Sequence, residues 1–111
     1  MDFTCHQNIH LIRKLSVGGN SISGIPDEIS QLVGLQELYL SKNRISNLPD
    51  CFSTLRQLRH LSLAGNLLHS CDVLKKLTNL ESLSLFGNPL SEDSSGTLKG
   101  QNDIDDFFAN L

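Results

Sequence analysis

Residues 35–45, LQELYLSKNRI, hold the pattern that decides the fold of this chain. Large apolar residues occupy its first, fourth, sixth and eleventh positions, and an asparagine occupies the ninth. Leu38 and Leu40 are two residues apart, so both side chains lie on one face of a short strand. Asn43 follows at the turn, where its amide can donate to and accept from buried backbone groups. A unit this small cannot bury its own apolar face, so it must stack on copies of itself.

Three further copies of the pattern occur at a spacing of 22 or 23 residues, one before this stretch and two after it. One match to so short a pattern would be weak, whereas four in register indicate a repeat array. The asparagines of the four copies are expected to have a structural role at the ends of the strands. The copies occupy residues 12–22, 35–45, 58–68 and 80–90, with Asn20, Asn43, Asn66 and Asn88 at the asparagine position.

These four copies resemble the leucine-rich repeat family, in its intracellular type. The resemblance implies an α/β fold, a short solenoid with four parallel strands on the concave face and helical or 3-10 turns on the convex face. The first two units resemble the 23-residue repeats of signalling scaffolds. The last two, which include LTNLESLSLFGNPL at residues 77–90, resemble the 22-residue repeats of protein phosphatase 1 regulatory subunits, axonemal dynein light chains and acidic nuclear phosphoproteins.

The segments between the strands are expected to return the chain along the convex side. Apolar residues three apart, such as Ile29 and Leu32, predict one helical turn that faces the core. An aspartate just ahead of each turn is expected to cap free backbone N–H groups, and a proline presets the entry to the first two turns. The segments are 25–32, 48–55 and 71–77, with Asp27, Asp50 and Asp72 as caps and Pro26 and Pro49 as the prolines.

The repeats divide the chain into three parts. Residues 1–11 are expected to form a degenerate N-terminal cap, in which Phe3 lies over the first coil. Residues 12–90 contain the repeats, at 12–34, 35–57, 58–79 and a partial unit at 80–90. Residues 91–111 form a tail with one lysine and five acids, and a capping helix is expected at 103–111.

The end of that tail has two interpretations. Apolar residues at helical spacing predict one apolar face of a short helix. This helix either folds over the last coil as a cap or docks into a partner's groove as a short linear motif, because a helix this short is marginal alone in water. The apolar residues are Ile104, Phe107, Phe108 and Leu111.

Composition narrows the class of protein. The length of 111 residues suits one small domain, and a formal net charge of −3 without a basic patch argues against nucleic-acid binding. No apolar run reaches the roughly 18 residues of a membrane span, and the N-terminus lacks the pattern of a secretory signal. Three scattered cysteines predict a reducing compartment. The expected location is the cytoplasm, with association with the cytoskeleton or location in the nucleus as alternatives. Cys71 aligns with core positions of the other repeats, which predicts a buried thiol.

The sequence predicts neither catalysis nor a cofactor. No Gly-rich phosphate loop, nucleophile with a base, or Cys/His cluster with metal-ligand spacing is recognisable. The hydrophobic positions point inward, so the intervening residues form three columns across the concave face. The expected protein-binding residues on that face and its loops are Lys14, Glu37, Tyr39, Ser41, Lys42, Arg44, His60, Ser62, Ser84 and Phe86.

The predicted function is a non-catalytic module that binds a protein partner on its concave face, as a monomer or within a hetero-complex. Aromatic residues and arginine are frequent interface hot spots, which favours Tyr39, Phe86 and Arg44. An outward Phe86 is expected to meet either a partner or the C-terminal helix. Two alternatives are a structural subunit of a cytoskeletal or axonemal assembly and a regulatory subunit of an enzyme such as a phosphatase.

Overall fold

A computed structural model describes residues 11–89, 97–99, 104, 106 and 109. Each copy of the repeat contributes a three-residue strand. The four strands are parallel and neighbours in chain order, with each central leucine beside its counterpart in the next repeat. The predicted four-stranded parallel sheet of a short solenoid is therefore confirmed. The strands are β1 (Lys14–Ser16), β2 (Glu37–Tyr39), β3 (His60–Ser62) and β4 (Ser82–Ser84).

A fifth strand that the repeat pattern does not predict follows in the tail. This strand, β5 (Thr97–Lys99), pairs antiparallel with β4, with Thr97 opposite Ser84 and Lys99 opposite Ser82. It occupies the edge of β4, whose backbone groups would otherwise be open to another chain. Beyond β5, the described residues 104, 106 and 109 have helical conformation.

Ile104 is buried within the main hydrophobic cluster. The choice between the capping and the docking interpretation of the tail stays a prediction. The expected contributions of Phe3, Phe107, Phe108 and Leu111 lie outside the described residues, and the predicted boundaries of the cap, repeats and tail stay predictions.

In the described part of the chain, 3-10 helices lie on the convex side at Asp27–Gln31, Asp50–Thr54 and Asp72–Lys76. Their bonds span three residues, as from Leu32 N–H to Ile29 O at 3.0 Å, which suits segments this short. Pro26 and Pro49 precede the first two helices with φ of −70° and −68°, as expected of proline.

The predicted aspartate caps are wrong. Each aspartate is the first residue of its helix rather than the residue before it, and no side-chain cap hydrogen bond forms at any of the three N-termini. From inside the first turn a short carboxylate does not reach the free N–H groups ahead of it. It still carries negative charge at the positive end of the helix, where such charge is favourable.

The interior is one contiguous hydrophobic cluster between the sheet and the 3-10 helices. The leucines of the pattern in the second and third copies, such as Leu38 and Leu61, are almost fully buried, and Phe52 of the second 3-10 helix is fully buried among them. The first repeat is different, because described residues cover it on one side only. Its apolar residues Ile12, Leu15, Val17 and Ile22 are partly buried.

The repeat asparagines link each coil to the one before it. Asn66 Oδ1 accepts the Ile45 N–H at 3.1 Å, and Asn66 Nδ2 donates to Leu40 O and Leu63 O, each at 2.9 Å. Asn43 and Asn88 repeat this arrangement one coil earlier and one coil later. Asn20 is exposed, and within the described residues its amide donates to the Val17 and Gly18 carbonyls of its own coil. We call this series of asparagine hydrogen bonds the ladder. Each asparagine of the ladder bonds to the preceding coil, and within the described residues the ladder ends at Asn20.

Candidate functional site

The strand register places the predicted columns side by side on the concave face. In the first column, Lys14 lies beside Glu37, Glu37 beside His60, and His60 beside Ser82. The second column runs Ser16, Tyr39, Ser62 and Ser84 in the same order. The third continues past the strand ends through backbone bonds from Gly19 N–H to Ser41 O, from Lys42 N–H to Ala64 O and from Gly65 N–H to Phe86 O.

Tyr39 is held in place by charged neighbours on the same face. Its hydroxyl donates to Glu37 Oε1 at 2.6 Å, and Lys14 Nζ lies 5.5 Å from the centroid of its ring. The hydrogen bond to Glu37, followed by partial burial and the carboxylate's charge, raises the pKa of Tyr39 above its usual value of 10.0. The phenol is thus neutral at physiological pH, and its ring is already oriented before any partner arrives.

Short polar contacts join the remaining members of the columns. Ser41 Oγ lies 2.6 Å from Ser62 Oγ, and His60 Nδ1 lies 2.8 Å from Ser82 Oγ. Ser84 is half-buried in the second column. These small side chains leave the centre of the face flat, and their hydrogen bonds give it a defined shape.

Phe86 lies at the end of the third column and is 57% exposed. Phe86 follows the end of β4, beyond the residues Ser82–Ser84 that pair with β5. Phe86 was expected to contact either a partner or the C-terminal helix. Its exposure leaves the ring accessible to a partner.

Lys42 and Arg44 are exposed on the loop after β2. Among the described residues, Lys42 is the one non-glycine residue with a positive φ, at 59°. The equivalent positions of the other repeats are Gly19, Gly65 and Gly87, with φ between 70° and 79°. Lys42 was predicted from the sequence as a binding residue, but its left-handed backbone conformation was not predicted. The signal for that conformation is the glycine at the equivalent position of the other three repeats.

Comparisons with known proteins agree with this geometry. The model of the family "Leucine rich repeat" matches residues 10–68, and the model "Leucine Rich repeats (2 copies)" matches residues 56–100. The chain belongs to the leucine-rich repeat family. Domains of this family generally mediate protein–protein interaction and are typically non-catalytic. A comparison with curated proteins gives no match.

Solved leucine-rich repeat structures share the fold. A leucine-rich repeat protein of Leptospira interrogans superposes with a TM-score of 0.70 at 32% identity, over 80% of this chain and 24% of that one. Internalin C2 of Listeria monocytogenes superposes with a TM-score of 0.67 at 25% identity, over 71% of this chain and 34% of that one. The chain thus spans about a quarter to a third of these proteins. The predicted intracellular subtype stays a prediction.

The cysteines of this leucine-rich repeat protein have different surroundings. Cys71 is 1% exposed, and burial raises the pKa of its thiol to about 11, so it is a neutral core side chain as predicted. Cys51 is half-buried on the convex side, where its Sγ donates to Asp27 O at 3.4 Å. Burial, followed by the Asp27 charge, raises the pKa of the Cys51 thiol. Within the described residues neither is in a disulfide.

Among the described residues, no group of three or more His, Cys, Asp or Glu side chains is arranged to hold a metal ion. The same part of the chain has no helix long and apolar enough to cross a bilayer.

A depression of about 670 Å³ was not anticipated from the sequence. It is lined by Ser21, Ile22, Ser23, Gly24, Ile25 and Pro26, on the loop from β1 to the first 3-10 helix. These residues belong to the first repeat, in which Ile22 is partly buried, and the repeat pattern alone does not predict a depression there.

Proposed function

We propose that this leucine-rich repeat chain is a non-catalytic interaction module whose concave face binds a protein partner. The observation that supports this function is the pre-oriented Tyr39 ring on a flat face that ends in the exposed Phe86. Aromatic side chains in fixed orientations contribute large contact area at low entropic cost, and they are enriched among interface hot spots. The small residues between the two rings leave room for a partner's backbone.

Tyr39→Ala and Phe86→Ala test the proposed face. Proteins captured from a lysate by the immobilised chain are identified, and their affinities for wild type and variants are measured with purified components. Each substitution is expected to weaken binding about tenfold or more, with an unchanged circular dichroism spectrum.

Val33→Ala is the matched control, since Val33 is 53% exposed in the turn between the first 3-10 helix and β2. Its affinity should equal that of wild type. If the Tyr39 and Phe86 variants also bind like wild type, the concave face is not the interface.

A second candidate function is a structural subunit of a larger assembly, such as a cytoskeletal or axonemal complex. It is supported by the partly buried apolar residues of the first repeat and by Leu11, which is 58% exposed. A purified chain that is monomeric and unfolds cooperatively at high stability would argue against this function. Regulation of an enzyme such as a phosphatase is supported only by the sequence of the last two repeats.

We infer a reducing compartment, the cytoplasm or the nucleus, from the scattered cysteines. The free thiols of Cys51 and Cys71 support this proposal. Fractionation of cells with thiol labelling before lysis would test it, because disulfide-linked protein in an oxidising fraction would contradict it.

A further inference from the structure

Charge is distributed unevenly around the solenoid. We define the strand-end rim as the loops that follow the four parallel strands, residues 17–24, 40–47, 63–70 and 85–89. The rim contains Lys42, Arg44 and His69 but no aspartate or glutamate. Between residues 11 and 89, all six acids and six of the eight Lys/Arg residues lie outside the rim, so the rest of this stretch is formally neutral. The rim is therefore the cationic side of a molecule whose formal net charge is −3.

The same rim exposes two large apolar side chains. Phe86 is 57% exposed and Leu67 is 48% exposed. Leu67 and Arg44 occupy equivalent positions of neighbouring coils, which the Leu67 N–H to Ile45 O bond of 2.8 Å holds together. Apolar and cationic side chains are thus adjacent on one surface.

Gly65 separates Lys42 from Phe86 without a side chain of its own. The Gly65 N–H donates to Phe86 O at 2.7 Å, and a β-carbon at Gly65 would lie 3.6 Å from Lys42 Cγ. Lys42 and Phe86 therefore flank an exposed stretch of backbone, with about two strand spacings, roughly 10 Å, between their coils. An extended peptide can lie between a cation and an aromatic ring at this distance.

The conformation of Lys42 adds a separate argument. A side chain at φ of 59° is disfavoured, and the three equivalent positions have glycine. Non-glycine residues in such conformations cluster at functional sites. A lysine at this position projects a cation from the rim at a cost to the fold, which a binding role explains.

We propose that the strand-end rim docks an acidic segment of the partner protein that carries one large apolar side chain. Carboxylates of the segment pair with Lys42 and Arg44, and the apolar side chain packs against Phe86 and Leu67. The charge of the rim selects an acidic partner segment over a basic one. This inference rests on the proposed protein-binding function and names the chemistry of the partner.

The test is selection of a random peptide library on the full chain, followed by fluorescence anisotropy with the recovered peptides. Peptides enriched in aspartate and glutamate around one large apolar residue are expected. Their Kd should rise about tenfold or more in Lys42→Gly/Arg44→Ser and in Phe86→Ala, and added salt should weaken wild-type binding.

Lys75→Ser/Lys76→Ser is the matched control, because it removes the same formal charge from the exposed side of the third 3-10 helix. This variant should keep wild-type affinity. Lys42→Gly alone should raise the melting temperature, by about 5 °C, while it weakens binding. Opposite effects on stability and affinity would separate a binding role from a structural one.

Three results would overturn the inference, and they differ in what they leave standing. The rim is not the docking site of an acidic segment if the recovered peptides are neutral or basic, or if they bind Lys42→Gly/Arg44→Ser like wild type. The proposed function still holds in that case if Tyr39→Ala weakens binding of these peptides. The ligand of the rim is a nucleic acid and not an acidic peptide if a single-stranded oligonucleotide binds and its affinity depends equally on Lys42 and Arg44. A library that yields no binding peptide overturns the inference, whereas the proposed function is still decided by the affinities of captured partner proteins for Tyr39→Ala and Phe86→Ala.

Discussion

At the scale of single residues, the buried asparagines connect adjacent repeats more directly than the leucines do. A leucine contributes apolar burial, which has no direction and tolerates exchange for another residue of similar volume. Asn66 instead satisfies one N–H and two C=O groups on two coils at once. Because unsatisfied buried backbone groups are costly, the amide has no apolar substitute.

Asn66→Ala is expected to lower the free energy of unfolding by about 2–4 kcal/mol, since it leaves the buried Ile45 N–H without its acceptor. It also removes one of the two asparagine donors to Leu40 O and to Leu63 O. Urea denaturation followed by circular dichroism measures the change. Asn20→Ala is the matched control at the equivalent position and should cost about 1 kcal/mol or less, because its hydrogen bonds are exposed. Equal losses in the two variants would show that the ladder does not stabilise the interior of the array.

At the scale of secondary structure elements, the strands are too short to be stable alone. Each parallel strand has three residues, and its stability depends on the leucines that pack below it. The central leucine of β3 is 2% exposed, whereas the central leucine of β1 is half-buried. The same residue in the same motif therefore contributes differently according to the coils on either side.

Leu61→Ala should lower the free energy of unfolding by about 2–5 kcal/mol, through lost burial and a cavity between two coils. Leu15→Ala, at the equivalent position of β1, should cost less than half as much, because less apolar area is lost and solvent can fill the space. Paired urea denaturations compare the two. A Leu15 variant as destabilised as the Leu61 variant would mean that the first coil is packed as tightly as the interior.

At the scale of the whole molecule, the array is one-dimensional, and its ends have fewer neighbours than its middle. The C-terminal side of the parallel sheet is paired by β5. At the other side, β1 pairs with β2 alone within the described sheet. Local opening in such an array is expected to begin at the less covered end.

Amide hydrogen exchange tests this asymmetry with three equivalent bonds. Val17 N–H donates to Tyr39 O at 2.9 Å, Leu40 N–H to Ser62 O at 2.8 Å, and Leu63 N–H to Ser84 O at 2.8 Å. Val17 should exchange about tenfold or more faster than the other two, because the first coil can open without the rest. Equal protection of all three amides would show that the array opens only as a single unit.

The sequence alone predicts the parts of this protein that repeat. Strict spacing of the leucines around Asn43 is enough to assign the strands, their parallel order and the columns of the concave face, because each copy can be compared with three others. It also predicts that Cys71 is buried, since its equivalents are core positions. The convex segments were predicted as helical or 3-10 turns, which the structure confirms. Their aspartates were given a capping role that their place in the first turn does not allow.

Only the tertiary structure decided the features that occur once. Strand β5 has no equivalent in the repeats, and its pairing with β4 depends on long-range backbone contacts that local pattern does not encode. The exposure of Phe86 likewise depends on what packs beside the last repeat. Periodic sequence specifies periodic structure, because every copy meets the same neighbours. The ends and the exposed surface depend instead on which neighbours are missing, and in this protein those places form its candidate binding surfaces.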